Sequence, residues 1–156
     1  MSRLTMSIFG AALLAGTTLS AGSALAEAKG ANVILLTVTE TCEYCALHQR
    51  AFKEVAEAAG VNVEVKINNF DAAEQASQVD QAIAQGPDAI VLWPADAGAI
   101  VPSLKKIKDA GIPLVLTNSS PDPQYSDLWD VFTGPNDVGN GNSAAKAMIQ
   151  GFAEKG

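Results

Sequence analysis

Histidine occurs once in this chain, and cysteine, tryptophan and tyrosine twice each. That shortage closes several routes. With His48 as the only imidazole, placed early in a helix-like pattern, no Ser-His-Asp arrangement is available. No glycine-rich loop follows the first apolar run, which disfavours a nucleotide fold of the Rossmann type. There is no run of lysine or arginine and no interleaving of basic and aromatic residues. With a net charge of −7, this argues against nucleic acid and against an anionic membrane surface as partners. Two cysteines are too few for a disulfide scaffold.

The first 26 residues are expected to lie outside the fold. Arg3 is their only charge, followed by "IFGAALLAG" and a small-residue run ending in Ala24-Leu25-Ala26, the A-x-A pattern of a secretory signal peptide cut before Glu27. A membrane anchor fits less well, because Gly, Thr and Ser dilute a stretch already short of the ~20 apolar residues that a span requires. The mature protein is therefore expected to be exported, with no stable membrane insertion. Two cysteines can persist there as a disulfide, since the compartment is oxidising.

From residue 32 onward, apolar runs alternate with helical patterns. "NVILLTV" (32–38) is continuous, as expected of a strand buried on both faces. A helix follows with Leu47, Ala51, Val55 and Ala59 on its apolar face, ending at Gly60. "VNVEVKI" (61–67) alternates and reads as a strand at a sheet edge. A second helix over 72–85 turns Ala72, Ala76, Val79 and Ile83 inward and stops at Gly86. "DAIVLW" (88–93) is a further buried strand. The next helix carries Ile100, Leu104 and Ile107, with its regular part starting near Pro102 and Gly111 as its stop. "IPLVLT" (112–117) and "DVFTG" (130–134) are strands, and a last helix from about 140 carries Ala145, Met148 and Phe152. Regular strand–helix repetition predicts an α/β domain, a doubly wound parallel sheet flanked by helices.

In such a sheet, ligands bind outside the carboxyl ends of the strands, where strand order reverses. That rule selects four loops: 39–45, 93–96, 117–120 and 134–139. They hold Thr39, Glu40, Cys42, Tyr44 and Cys45, then Trp93 and Asp96, Asn118, Ser119 and Ser120, and Asn136 and Asp137. Amides can exchange paired hydrogen bonds with hydroxyls, and aromatic faces can stack on a sugar's C–H face. Several of these residues have a plain alternative. Asp96 can cap a helix, Asn136 and Asp137 can be turn residues, and Trp93 can be core edge as readily as a stacking platform. The set contains no catalytic pairing and calls for no cofactor.

Cys42 and Cys45 allow three readings: the Cys-x-x-Cys of a thiol oxidoreductase entering a helix, part of a metal site with His48, or the lip of a binding cleft. The metal reading lacks the second Cys/His pair that structural zinc normally uses, so no metal is expected and His48 reads as a residue on a solvated helix face. The thioredoxin-like reading gains from "GIP" at 111–113 but has two further strand–helix units between its parts, and "CEYC" has no internal proline.

Three blocks decide the preference. "QGPDAIVLWPAD", "DAGIPLV" and the "G-x-N-D-x-x-x-G" start of the last helix, in this order and spacing, resemble the type I periplasmic binding proteins of the ribose- and galactose-binding group. The resemblance runs from about residue 32 to the end. It implies a two-lobed solute receptor for an ABC importer, with the transporter permease as partner, a sugar or polyol as ligand, a periplasmic location and no enzymatic activity. It places Cys42, Tyr44 and Cys45 in the first cleft loop, and Trp93 where relatives carry a ligand-contacting Asn. Asn118 and Ser119 fall on the Asp-Arg pair that clamps sugar hydroxyls, and Asn136 on a further cleft Asp. Loss of the Asp-Arg pair removes two charge-assisted hydrogen bonds and puts ribose itself in doubt. Sugar-responsive repressors share this fold, but here a leader replaces the DNA-binding headpiece. Residues 27–156 are expected to form the amino-terminal lobe of a longer receptor, presenting half a cleft.

Overall fold

The computed structural model describes residues 28–155; the expected leader lies outside the described residues. Five strands form one parallel sheet in the order β2-β1-β3-β4-β5. The strands are β1 (Asn32–Thr37), β2 (Asn62–Ile67), β3 (Ala89–Leu92), β4 (Leu114–Thr117) and β5 (Val131–Thr133). Between them lie α1 (Glu43–Ala58), α2 (Ala72–Gln85) and α3 (Val101–Asp109), a 3-10 turn at Pro123–Leu128, and finally α4 (Asp137–Lys155). The chain runs outward from β1 to β2, then returns past β1 to β3. The winding therefore reverses between β1 and β3, as in a doubly wound sheet. β2 is an edge strand and its exposure alternates, matching its period-two sequence.

Alternation along the strands divides the core into two layers. Ile34, Leu36, Ile90, Leu92, Leu114 and Leu116 point to one face, where Val79 and Ala82 of α2 and Leu104 and Ile107 of α3 meet them. Leu35, Thr37, Trp93 and Thr117 are buried on the other, beneath α1. The start of α3 explains the position of Pro102. Asp96 Oδ1 accepts from the N–H groups of Gly98 and Ala99 at 2.8 and 2.7 Å, capping a turn. The regular helix begins only at Val101, with proline in its first turn, where a missing N–H costs nothing.

Three helix faces differ from the periodic reading. In α1, Leu47 and Val55 are 45% and 73% exposed, and the inward stripe is Cys45, His48, Phe52 and Ala56. The helix is rotated by about one residue, or ~100°, because Cys45 and His48 lock its first turns onto Trp93. In α2 the fully buried positions are Gln75, Val79 and Ala82, with Ala72, Ala76 and Ile83 only half-buried. Buried hydrogen bonds of Gln75 set that rotation. α4 begins at Asp137 instead of near 140, because Asn136 Oδ1 accepts the Gly139 N–H at 2.9 Å and caps it. Its Met148 and Phe152 are exposed, with no apolar cover among the described residues.

Two substitutions separate the observed helix faces from the periodic ones. Leu104→Ala opens a cavity in the sealed core and is expected to cost ~2–5 kcal/mol. Leu47→Ala, on the outward side of α1, should stay within ~0.5 kcal/mol of the wild type. Urea denaturation of both variants measures the contrast, and a comparable loss at Leu47 would refute the rotation of α1.

Candidate functional site

The loops at the carboxyl ends of β1, β3 and β4 converge beside the point where the winding reverses. Trp93 follows the last residue of β3 directly and is 5% exposed; its N–H donates to the Leu36 carbonyl, extending the ladder with β1 by one rung. Two residues of α1 spaced one turn apart, Tyr44 and His48, meet the indole edge-on. The ring centroids lie 5.6 and 5.2 Å away with interplanar angles of 72° and 76°, the tilted geometry that aromatic quadrupoles favour. The same two side chains reach across to consecutive residues at the end of β4. Tyr44 Oη donates to Asn118 Oδ1 at 3.1 Å, and His48 Nε2 shares a 2.7 Å hydrogen bond with Thr117 Oγ1. Tyr44 remains 56% exposed. The ring leans on the indole and is otherwise largely open.

The helix that carries Tyr44 begins in a small cross-linked loop. Cys42 and Cys45 are joined by a disulfide, and Cys42 Sγ also accepts the Cys45 N–H at 3.0 Å as the helix cap. Cys45 is buried with Val38 and Trp93. Tyr44 thus sits within a ring of four residues whose ends cannot separate. With both sulfurs in that bond, neither is a thiolate that could bind a metal. Among the described residues no group of three or more His, Cys, Asp or Glu side chains is arranged to hold a metal ion.

Asn118 continues the face toward β5. Its backbone is left-handed, with φ of 66°, a region that asparagine tolerates better than most residues. Its N–H donates to the Thr133 carbonyl at 2.8 Å. Gly134 makes this approach possible, because a Cβ there would stand 2.8 Å from the Asn118 carbonyl oxygen. Asn118, Ser119, Ser120, Phe132, Asn136 and Asp137 line an open groove of about 430 Å³. The structure therefore joins Cys42, Tyr44, Cys45, Trp93 and Asn118 through direct contacts, and brings Ser119 and Asn136 to the groove beside Asn118. Trp93 lies under the surface as a support. Asp96 is spent on its cap, and Asn136 uses its oxygen on α4. A hollow of about 370 Å³ lined by Asn32, Asn62 and Gln85 lies at the opposite end of the sheet.

His48 is not on a solvated helix face. Its Nδ1 is buried without a partner, and burial pushes its pKa below the ordinary imidazole value. A charged ring would place an N–H at Nδ1 with nothing to receive it, which disfavours protonation further. Two more participants were not foreseen. Gln75 looks like a surface residue of an amphipathic helix but is fully buried, with its amide bonded to the backbone at residues 93 and 95. The loop after β2 also reaches this end of the sheet. Buried Asn68 donates to the Thr37 carbonyl and accepts the Phe70 N–H, and Phe70 is exposed in a left-handed conformation with φ of 63°. The paired asparagines ahead of Phe70 were the available signal for an irregular turn.

Comparison with known proteins identifies the family and the fold. The profile of the periplasmic binding protein domain family matches residues 33–156. A D-apiose import binding protein of Paraburkholderia graminis is 28% identical over 144 residues, covering 92% of this chain and 46% of the relative. A xylitol-binding protein of Mycolicibacterium smegmatis is 36% identical over 97 residues, 61% of this chain and 27% of the relative. Among solved structures, a Mycobacterium smegmatis protein in complex with β-D-fucofuranose superposes with a TM-score of 0.74 at 26% identity, covering 80% of this chain and 41% of that one. The chain spans less than half the length of these relatives. None of them is matched as a thiol oxidoreductase, and the two strand–helix units between Cys45 and Pro113 are present as β2–α2 and β3–α3.

His48 gives the fold a pH dependence with a defined sign. The folded state holds this ring neutral, so the unfolded chain binds the proton more readily. The stabilisation is complete above the ordinary imidazole value of ~6.5 and is lost as the pH falls through the depressed folded value. Thermal midpoints measured between pH 7.5 and 5 should fall more steeply in the wild type than in His48→Gln. Parallel curves would show that the ring is not held neutral.

Proposed function

The chain belongs to the periplasmic binding protein family, and we propose that it supplies one wall of the solute site of an exported receptor that serves an ABC importer. The ligand class is a sugar or polyol. In this reading the protein is delivered to the periplasm by residues 1–26, hands its ligand to a permease and catalyses no reaction. The observation that carries it is the Tyr44 ring, exposed at the carboxyl end of a parallel sheet beside the reversal of winding, tied by its hydroxyl to Asn118 and supported by a buried indole.

The chemistry of the face suits a neutral polyhydroxy ligand. The Asn118 amide and the Ser119 hydroxyl can exchange hydrogen bonds with hydroxyls in both directions, the Asn136 amide nitrogen can donate, and the exposed part of the Tyr44 ring can lie along a sugar's C–H edge. The Cys42–Cys45 bridge and Trp93 serve as the rigid backing that keeps the ring in place, lowering the ordering cost of binding. No lysine or arginine lies in the loops that form this face, so it offers nothing to clamp a phosphate or carboxylate. Relatives that bind D-apiose and xylitol support the same ligand class. No helix among the described residues is long and apolar enough to cross a membrane.

The test is calorimetric titration of the full-length protein with D-ribose, D-apiose, D-fucose and xylitol, preceded by a thermal-shift screen in which a bound solute raises the midpoint by mass action. At least one should bind. Tyr44→Ala should then weaken binding by about tenfold or more through loss of the stacked ring. Unchanged affinity in that variant would return Tyr44 to a packing role.

A further inference from the structure

Trp93 is held from two sides. Tyr44 and His48 cover it from α1, while a side chain with no access to solvent grips its backbone from α2. That side chain is Gln75, 0% exposed. Its Nε2 donates to the Trp93 carbonyl at 2.8 Å, and its Oε1 accepts the Ala95 N–H at 2.8 Å. The amide spans the turn by which the chain leaves β3, and both of its polar ends are used on residues 93–95. Among the described residues no other side chain bonds to the backbone of that turn.

Resting on the binding reading above, we propose that Gln75 is a positioning residue of the ligand face, acting through Trp93 on the orientation of Tyr44. It touches no ligand. The amide fixes the carbonyl of residue 93 and the N–H of residue 95, and these set the direction in which the indole leaves the end of the strand. The indole in turn is the surface against which Tyr44 leans at 72° while its hydroxyl reaches Asn118. A carboxamide suits this task because one side chain must donate at one end and accept at the other. An apolar residue of equal length would leave the buried Trp93 carbonyl and the half-buried Ala95 N–H without partners, and the turn would shift to reach water. The ring carried by that turn would shift with it, and affinity would fall although no ligand contact had been removed.

The experiment uses the full-length protein and two variants, Gln75→Met and Gln75→Glu, with the Trp93 indole N–H resonance assigned by its loss in Trp93→Phe. Gln75→Met should displace that resonance and weaken the best-bound probe among D-ribose, D-apiose, D-fucose and xylitol by about tenfold, the scale of a lost positioning hydrogen bond. Gln75→Glu keeps the acceptor for Ala95 but lacks a donor until it is protonated. Its resonance should therefore move back toward the wild-type position on acidification, with wild type followed in parallel, and this holds the proposal open to refutation if the methionine variant fails to fold. A displaced resonance with unchanged affinity would overturn the proposal, leaving Gln75 as packing alone. An unmoved resonance in both variants would overturn it too. Absence of binding by the wild type to every probe is a separate failure, that of the receptor reading, and removes the basis of this one with it.

Discussion

The reversal of winding between β1 and β3 is the constraint on which the rest of this structure depends. Leaving β1 toward β2 and returning past it to β3 sends the connections on either side of β1 to opposite faces of the sheet. The loops after β1 and β3 therefore lead to helices on opposite faces of the sheet, and a space is left between their starts. Trp93 fills it. A large indole placed one residue beyond a buried strand closes the end of the core, and Tyr44 and His48 of α1 pack against it.

Around that indole, polar and covalent restraints act together. The disulfide fixes the first turn of α1, and the helical repeat sets Tyr44 and His48 one turn apart, where they reach Asn118 and Thr117. Gln75 fixes the turn after β3 from the opposite side. Each hydrogen bond contributes only a modest net stability because water competes for the same groups. Leaving either partner buried and unmet is expensive, however, so the arrangement is specified by the cost of disrupting it. The result is an exposed tyrosine on a rigid mount, beside amides and a hydroxyl and with no fixed cation nearby. Such a face is the basis on which a neutral, hydroxyl-rich ligand is proposed.

Strain is concentrated at the same end of the sheet. Among the described residues the left-handed non-glycine positions are Asn69, Phe70 and Asn118, all in loops that follow strands. Residues in that region cost ~1–3 kcal/mol each and persist where the surroundings hold them there. Here those surroundings are buried Asn68 for the loop after β2, and Thr133 with Gly134 for the loop after β4. The opposite end of the sheet uses glycines for its tight turns and stores no comparable strain.

Much of this was legible in the sequence. Continuous apolar runs marked β1, β3 and β4 as buried, and the alternation in 61–67 marked β2 as an edge, because side-chain period reflects which faces meet water. The regular alternation of strand and helix required a parallel doubly wound sheet, and that sheet's geometry located Tyr44, Trp93, Asn118, Ser119 and Asn136 at one end. The rotation of α1 and the burial of Gln75 and His48 were decided by tertiary structure alone. A hydropathy pattern treats glutamine and histidine as solvent-facing, since its reference is the isolated side chain in water. Whether a polar group can be buried depends on whether a partner waits inside, and the partners here are the 93–95 backbone for Gln75 and Thr117 for His48. Those partners lie 18 to 69 residues away in sequence, and only the folded sheet brings them within hydrogen-bonding reach.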